Sequence, residues 1–107
     1  MDMQRDLLTR DAVEQRLRAV EDQIRALGVA RLALFGSVLH GSARPESDVD
    51  LLVQFRPGAK TFDRFVRLCD LLEERLGPPV ELVTIESLSP FIGPRILADA
   101  QDVLRAA

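Results

Sequence analysis

A chain of 107 residues with 47% hydrophobic side chains can build one core but not two ordinary domains, so a single domain over 1–107 is expected, with no separate substrate-binding module. The net charge of −3, the five aromatics (all Phe) and the scattered basic residues argue against a stably bound nucleic acid while leaving a nucleotide open. Met1–Leu8 is charged, no stretch approaches the roughly 18 apolar residues of a membrane span, and Cys69 is alone, so a cytoplasmic protein with no membrane partner and no internal disulfide is expected.

Helical and strand-like segments alternate along the chain. From Asp11 to Leu27 the apolar residues Val13, Leu17, Val20, Ile24 and Leu27 recur every three or four positions, which predicts one amphipathic helix. Asp11 with Glu14 resembles a capping box, and Gly28 suits a left-handed stop. Val29–Phe35 is short, apolar and ends at Gly36, as a strand covered on both faces would. A short helical turn from Ser37 to His40 and a turn-like return over Ser42–Ser47 lead to a second strand, Asp48–Phe55, closed by Pro57-Gly58.

Thr61–Leu76 repeats the helical pattern through Phe62, Phe65, Leu68, Cys69, Leu72 and Leu76, with Cys69 read as a packed thiol, and Gly77-Pro78-Pro79 stops it. Val80–Ile85 is the third strand. A last helix is expected after Ser89 as cap and Pro90 at its first position, with Ile92, Ile96, Leu97, Ala100, Val103 and Leu104 as its apolar face and Gly93-Pro94 interrupting or kinking it. The class is therefore α/β, with about three core strands flanked by helices; the pattern alone leaves the strand directions open.

The chemistry is concentrated in two short motifs and one isolated acid. Asp48 and Asp50 straddle Val49, and on a strand two such residues share a face with Cα atoms about 6.5 to 7 Å apart. Like charges on one face repel and Asp is a poor strand former, so a divalent cation between the two carboxylates accounts for the arrangement. Gly36 lets the backbone turn sharply and approach a ligand, and Ser37 adds a hydroxyl at the start of the helical turn, where amide hydrogens suit phosphate oxygens. Glu81 in Val-Glu-Leu-Val is out of character for a core strand; if that strand lies beside Asp48–Asp50, three carboxylates converge in the oxygen-rich setting that magnesium uses in nucleotidyl transfer. Arg44 and Arg95 could reach phosphate or a partner's carboxylate, although a surface arginine is the default for each.

Leu34-Phe35-Gly36-Ser37, Gly41, Ser47-Asp48-Val49-Asp50-Leu51-Leu52-Val53 and Val80-Glu81-Leu82-Val83-Thr84 together resemble the minimal nucleotidyltransferases of the DNA polymerase β superfamily. The resemblance extends to Leu88–Ile92 and Arg95–Leu97, and so spans nearly the whole chain. It implies a nucleotidyltransferase fold with a small mixed sheet, nucleoside triphosphate binding at Gly36, Ser37 and Ser47, and Mg2+, two ions in all, at Asp48, Asp50 and Glu81. It also implies transfer of AMP from ATP to a tyrosine of a HEPN ribonuclease toxin, with this chain as the antitoxin in a hetero-oligomeric complex.

The chain departs from the family pattern in two places. Many relatives carry arginines after Gly-Ser, where this chain has Val38, Leu39 and His40, and His40 could replace a cationic contact or simply be solvated. The third carboxylate is commonly aspartate; Glu81, one methylene longer, could ligate metal, act as base or be structural. Two other functions compete: an antitoxin that neutralises by binding alone, and a small-molecule nucleotidyltransferase. Against the latter, no residues remain to enclose a second substrate.

Overall fold

The computed structural model describes residues 8–44 and 47–105. The charged start Met1–Leu7 and the middle of the return loop, Pro45 and Glu46, lie outside the described residues. In chain order the elements are α1 (Arg10–Arg18), α2 (Glu21–Ala26), β1 (Val29–Phe35), α3 (Gly36–Leu39), β2 (Val49–Phe55), α4 (Phe62–Leu76), β3 (Val80–Thr84), a 3-10 turn (Ile85–Ser87), α5 (Gly93–Asp99) and β4 (Gln101–Leu104). No helix among the described residues is long and apolar enough to cross a membrane.

The four strands form one mixed sheet in the order β3-β2-β1-β4. β1 runs antiparallel to both β2 and β4, while β2 and β3 are parallel, with α4 as the crossover between them. Leu32 and Leu34 of β1 stand opposite Val53 and Leu51 of β2, and Leu51 stands opposite Leu82 of β3, so these side chains share a face. That face is covered by α1, α2 and α4 through Val13, Leu17, Ile24, Leu68, Leu72 and Leu76, all buried. The opposite face carries Ala33 and Leu52, buried at its middle, then Phe35, Asp50 and Glu81 at one end.

Several local expectations are corrected. The helix expected over Asp11–Leu27 is two, separated at Ala19–Val20. Val20 leaves helical geometry (φ −120°, ψ 25°) yet stays buried, and Glu21 and Asp22 place negative charge at the start of α2, where the helix dipole favours it. The apolar stripe survives the break because both pieces keep their side chains on the same core. The cap of α1 is Thr9, whose Oγ1 accepts from Ala12 N at 3.1 Å; Asp11 sits inside the first turn instead. In α4, Thr61 Oγ1 accepts from Arg64 N at 3.1 Å, but Phe62, expected on the apolar face, is 84% exposed. Cys69 is half-buried, and burial pushes its thiol pKa up.

The largest correction concerns the C-terminal segment. Val103 and Leu104 do not continue a helix; they form β4, pairing with β1 at Leu32, so the sheet has four strands instead of about three. The spacing of Ile96, Leu97, Ala100, Val103 and Leu104 fits a helix, but Ala100 turns extended (φ −64°, ψ 144°) and the chain supplies hydrogen-bond partners to the otherwise bare edge of β1. Ser89-Pro90 builds a preceding turn, with Ser89 Oγ accepting from Phe91 N at 3.1 Å. Pro94 starts α5 instead of kinking it, since the first turn has no use for the missing amide hydrogen.

Candidate active site

Three elements meet at one end of the sheet. β1 ends at Phe35, which stands opposite Asp50 of β2, and Asp50 in turn stands opposite Glu81 of β3. The two acids are direct neighbours on adjacent parallel strands and share a face. Asp48 lies just before β2, whose first residue is fastened by Val49 N donating to Pro79 O at 2.9 Å, so the starts of β2 and β3 are held side by side. Val49 and Leu51, which flank Asp50, are fully buried on the helix-covered face and fix the direction in which the Asp50 carboxylate points.

Gly36 answers to Asp50 in two ways. Its φ of +78° is costly for any residue with a side chain, and a Cβ built there would stand 2.1 Å from Asp50 Oδ2. The backbone after β1 therefore passes directly against the carboxylate, which no other residue type allows. Ser37 follows in the first turn of α3; its carbonyl accepts from Ser42 N at 3.0 Å, folding the chain back toward β2. Ser47 Oγ accepts from Arg44 N at 2.9 Å and Ser47 N donates to Arg44 O at 2.9 Å, so this residue braces the return loop. Arg44 and Arg95 are both exposed.

The electrostatics follow from this crowding. Burial, then the negative charges of Glu81 and Asp48 and a carboxyl–carboxyl hydrogen bond with Glu81, push the Asp50 pKa up from 3.8 to about 6. Asp48 and Glu81 are exposed while Asp50 is half-buried. Among the described residues, no three His, Cys, Asp or Glu side chains form a ready-made metal cage. The three carboxylates nonetheless fit magnesium. They are hard oxygen donors whose mutual repulsion a dication relieves, and magnesium commonly takes only one or two protein carboxylates beside phosphate oxygens and water. The exposed side chains of Asp48 and Glu81 have room to rotate toward such an ion; an all-protein cage is not required.

Sequence reasoning singled out His40 but missed its partner, Asp99. The His40 Nε2 is hydrogen-bonded to Asp99 Oδ2 at the end of α5, and no periodicity or motif links those two positions.

Comparison with known proteins places the chain in a family. A family model described as nucleotidyltransferase domain matches residues 9–103. The chain is 35% identical over 94 residues to protein adenylyltransferase MntA of Thermococcus cleftensis, covering 87% of this chain and 94% of that one. It superposes with a TM-score of 0.78 and 34% identity on the solved structure of a provisionally assigned minimal nucleotidyltransferase, covering 91% of this chain and 98% of the other. It also shares its fold with a chain from a crystal structure of a toxin–antitoxin with AMP-PNP, at a TM-score of 0.68 and 21% identity over 87% of this chain and 73% of that one.

Proposed function

We propose, since the chain belongs to the nucleotidyltransferase domain family, that it is a magnesium-dependent protein adenylyltransferase that moves AMP from ATP to a tyrosine of a HEPN-family toxin and so neutralises it. One observation carries this reading: Asp50 pairs with Glu81 across parallel strands while the side-chain-free backbone of Gly36 passes against the Asp50 carboxylate. An acidic cluster beside a glycine turn suits a dication and a triphosphate together. The relative named as a protein adenylyltransferase supports AMP as the group and a protein as the acceptor. The openness of the acid-bearing end, where Asp48 and Glu81 are exposed, supports an acceptor delivered by a partner.

In this reading Asp48, Asp50 and Glu81 hold magnesium, which when bound neutralises phosphate oxygens and lowers the pKa of the attacking hydroxyl. The Gly36–Ser37 amides and the Ser37 hydroxyl hold phosphate oxygens. The tyrosine oxygen forms a bond to the α-phosphorus of ATP. The bond from that phosphorus to the oxygen bridging toward the β-phosphate breaks, and pyrophosphate leaves with its electron pair. The phenol proton passes to a carboxylate, and Glu81, exposed on the edge strand, is the candidate base.

The test is transfer of label from α-labelled ATP, with magnesium, to a HEPN-family protein encoded beside this chain. Label is expected on the partner, and Asp48→Asn or Asp50→Asn is expected to cut transfer by about a thousandfold with the circular dichroism unchanged. Transfer at the wild-type rate by either variant sinks the reading. A partner still silenced in cells by both Asn variants assigns neutralisation to binding alone.

A further inference from the structure

One contact outside the acidic cluster joins the Gly36–Ser37 turn to a part of the chain distant in sequence. His40 caps the C-terminal end of α3, Asp99 is the last residue of α5, and the two side chains meet at 2.5 Å between Nε2 and Oδ2. α3 has four residues, and the backbone bonds that close it are His40 N to Gly36 O at 3.2 Å and Gly41 N to Val38 O at 3.3 Å. A helix this short does not persist on its own hydrogen bonds, so its direction depends on what fastens its two ends. Its start lies against Asp50, and its middle is anchored by buried Val38 and Leu39. Its far end is fastened by Asp99.

The fastening point is itself firm. Two residues after Asp99, Gln101 begins β4 and pairs with Leu34 of β1, the strand that α3 continues. Both halves of the pair are therefore carried by β1 or by the strand beside it, and the pair closes a small frame around the glycine turn.

We infer that His40 and Asp99 are positioning residues for the nucleotide: their hydrogen bond holds α3 so that the Gly36–Ser37 amides and the Ser37 hydroxyl face the carboxylates. The inference rests on the nucleotidyltransferase reading of the site and assigns two residues to it. Both side chains are about half exposed, so the effect is modest, about three- to fivefold in nucleotide affinity. A direct phosphate contact from His40 is the competing role, and it makes an opposite prediction for Asp99, whose removal would then free the imidazole.

The experiment is calorimetric titration of AMP-PNP, with magnesium, into the full chain and its His40→Ala, Asp99→Ala, double His40→Ala/Asp99→Ala and Asp99→Asn variants, with thermal melts alongside. Each alanine variant is expected to weaken binding about three- to fivefold, and the double variant no more than the larger single. Asp99→Asn, which keeps an acceptor oxygen, should bind more tightly than Asp99→Ala. In the transfer reaction KM for ATP should rise by the same factor while kcat at saturating ATP changes less than twofold. Weaker binding in His40→Ala with unchanged or tighter binding in Asp99→Ala overturns the inference in favour of a phosphate-contacting imidazole. Lower melting temperatures with unchanged affinity overturn it in favour of a surface ion pair. A wild-type chain that does not bind AMP-PNP removes the nucleotidyltransferase reading itself, and the inference with it.

Discussion

The two faces of the sheet are made by alternate residues of the same strands, yet they are built for opposite ends. On the helix-covered face Leu32, Leu34, Leu51 and Val53 are buried against α1, α2 and α4 and carry no polar atom. On the other, one step along the same backbone, Asp50 and Glu81 stand side by side with a raised Asp50 pKa. The difference teaches that the acid-bearing face is held against its own repulsion by the apolar one: the odd positions of β2 supply the burial that keeps Asp50 beside Glu81.

Substitutions can break that division, and the largest expected effect falls on the acid face. Asp50→Asn should remove transfer almost completely while the fold stays intact, as measured by labelled AMP. A residue of the covering helices gives the converse result: Leu72→Ala, which empties a fully buried site, should destabilise by about 3 kcal/mol in urea unfolding, with transfer per folded molecule little changed. Gly36→Ala tests the seam between the faces. It adds a left-handed strain of about 1 kcal/mol to a Cβ placed against the Asp50 carboxylate, so both stability and transfer should fall. If Gly36→Ala keeps full activity, the close passage of backbone and carboxylate has no chemical role.

The smallest effect is a pH dependence. A carboxyl whose folded pKa is raised contributes stability that is fully present below its unfolded value and is lost as pH rises through the folded one. For Asp50 the window runs from 3.8 to about 6. With EDTA present, wild type should therefore lose stability relative to Asp50→Asn between those values, by about 1 kcal/mol after allowing for solvent screening of a half-exposed group. Parallel stability curves for the two proteins across that range would show that Asp50 is not strained. Magnesium should oppose the loss, because it binds the ionised form.

The placing of Asp50 beside Glu81 was more legible in the sequence than parts of the fold. Asp50 and Glu81 interrupt apolar strands, and that conflict with burial is local and visible; the pairing of β2 with β3 then lies where the alternation of Val80, Glu81 and Leu82 suggests. Gly36 was legible for a related reason, since a glycine ending an apolar run signals a backbone demand. Val103 and Leu104 were not, because their spacing from Ile96 and Ala100 satisfies a helix and only the bare edge of β1 decides for a strand. The break at Val20 was hidden likewise: no glycine or proline marks it, and the apolar stripe runs through it. The meeting of His40 with Asp99 depends on where α5 ends, which no local pattern encodes.

The parallel pairing of β2 and β3 also orders events during synthesis. Asp48 and Asp50 leave the ribosome before α4, and Glu81 can join them only once α4 has folded back across the sheet to bring β3 alongside β2. β4, which closes the other edge, comes last of all. A half-made chain would thus display two of its acids without the third, and in the proposed reading transfer would wait until β3 has docked beside β2.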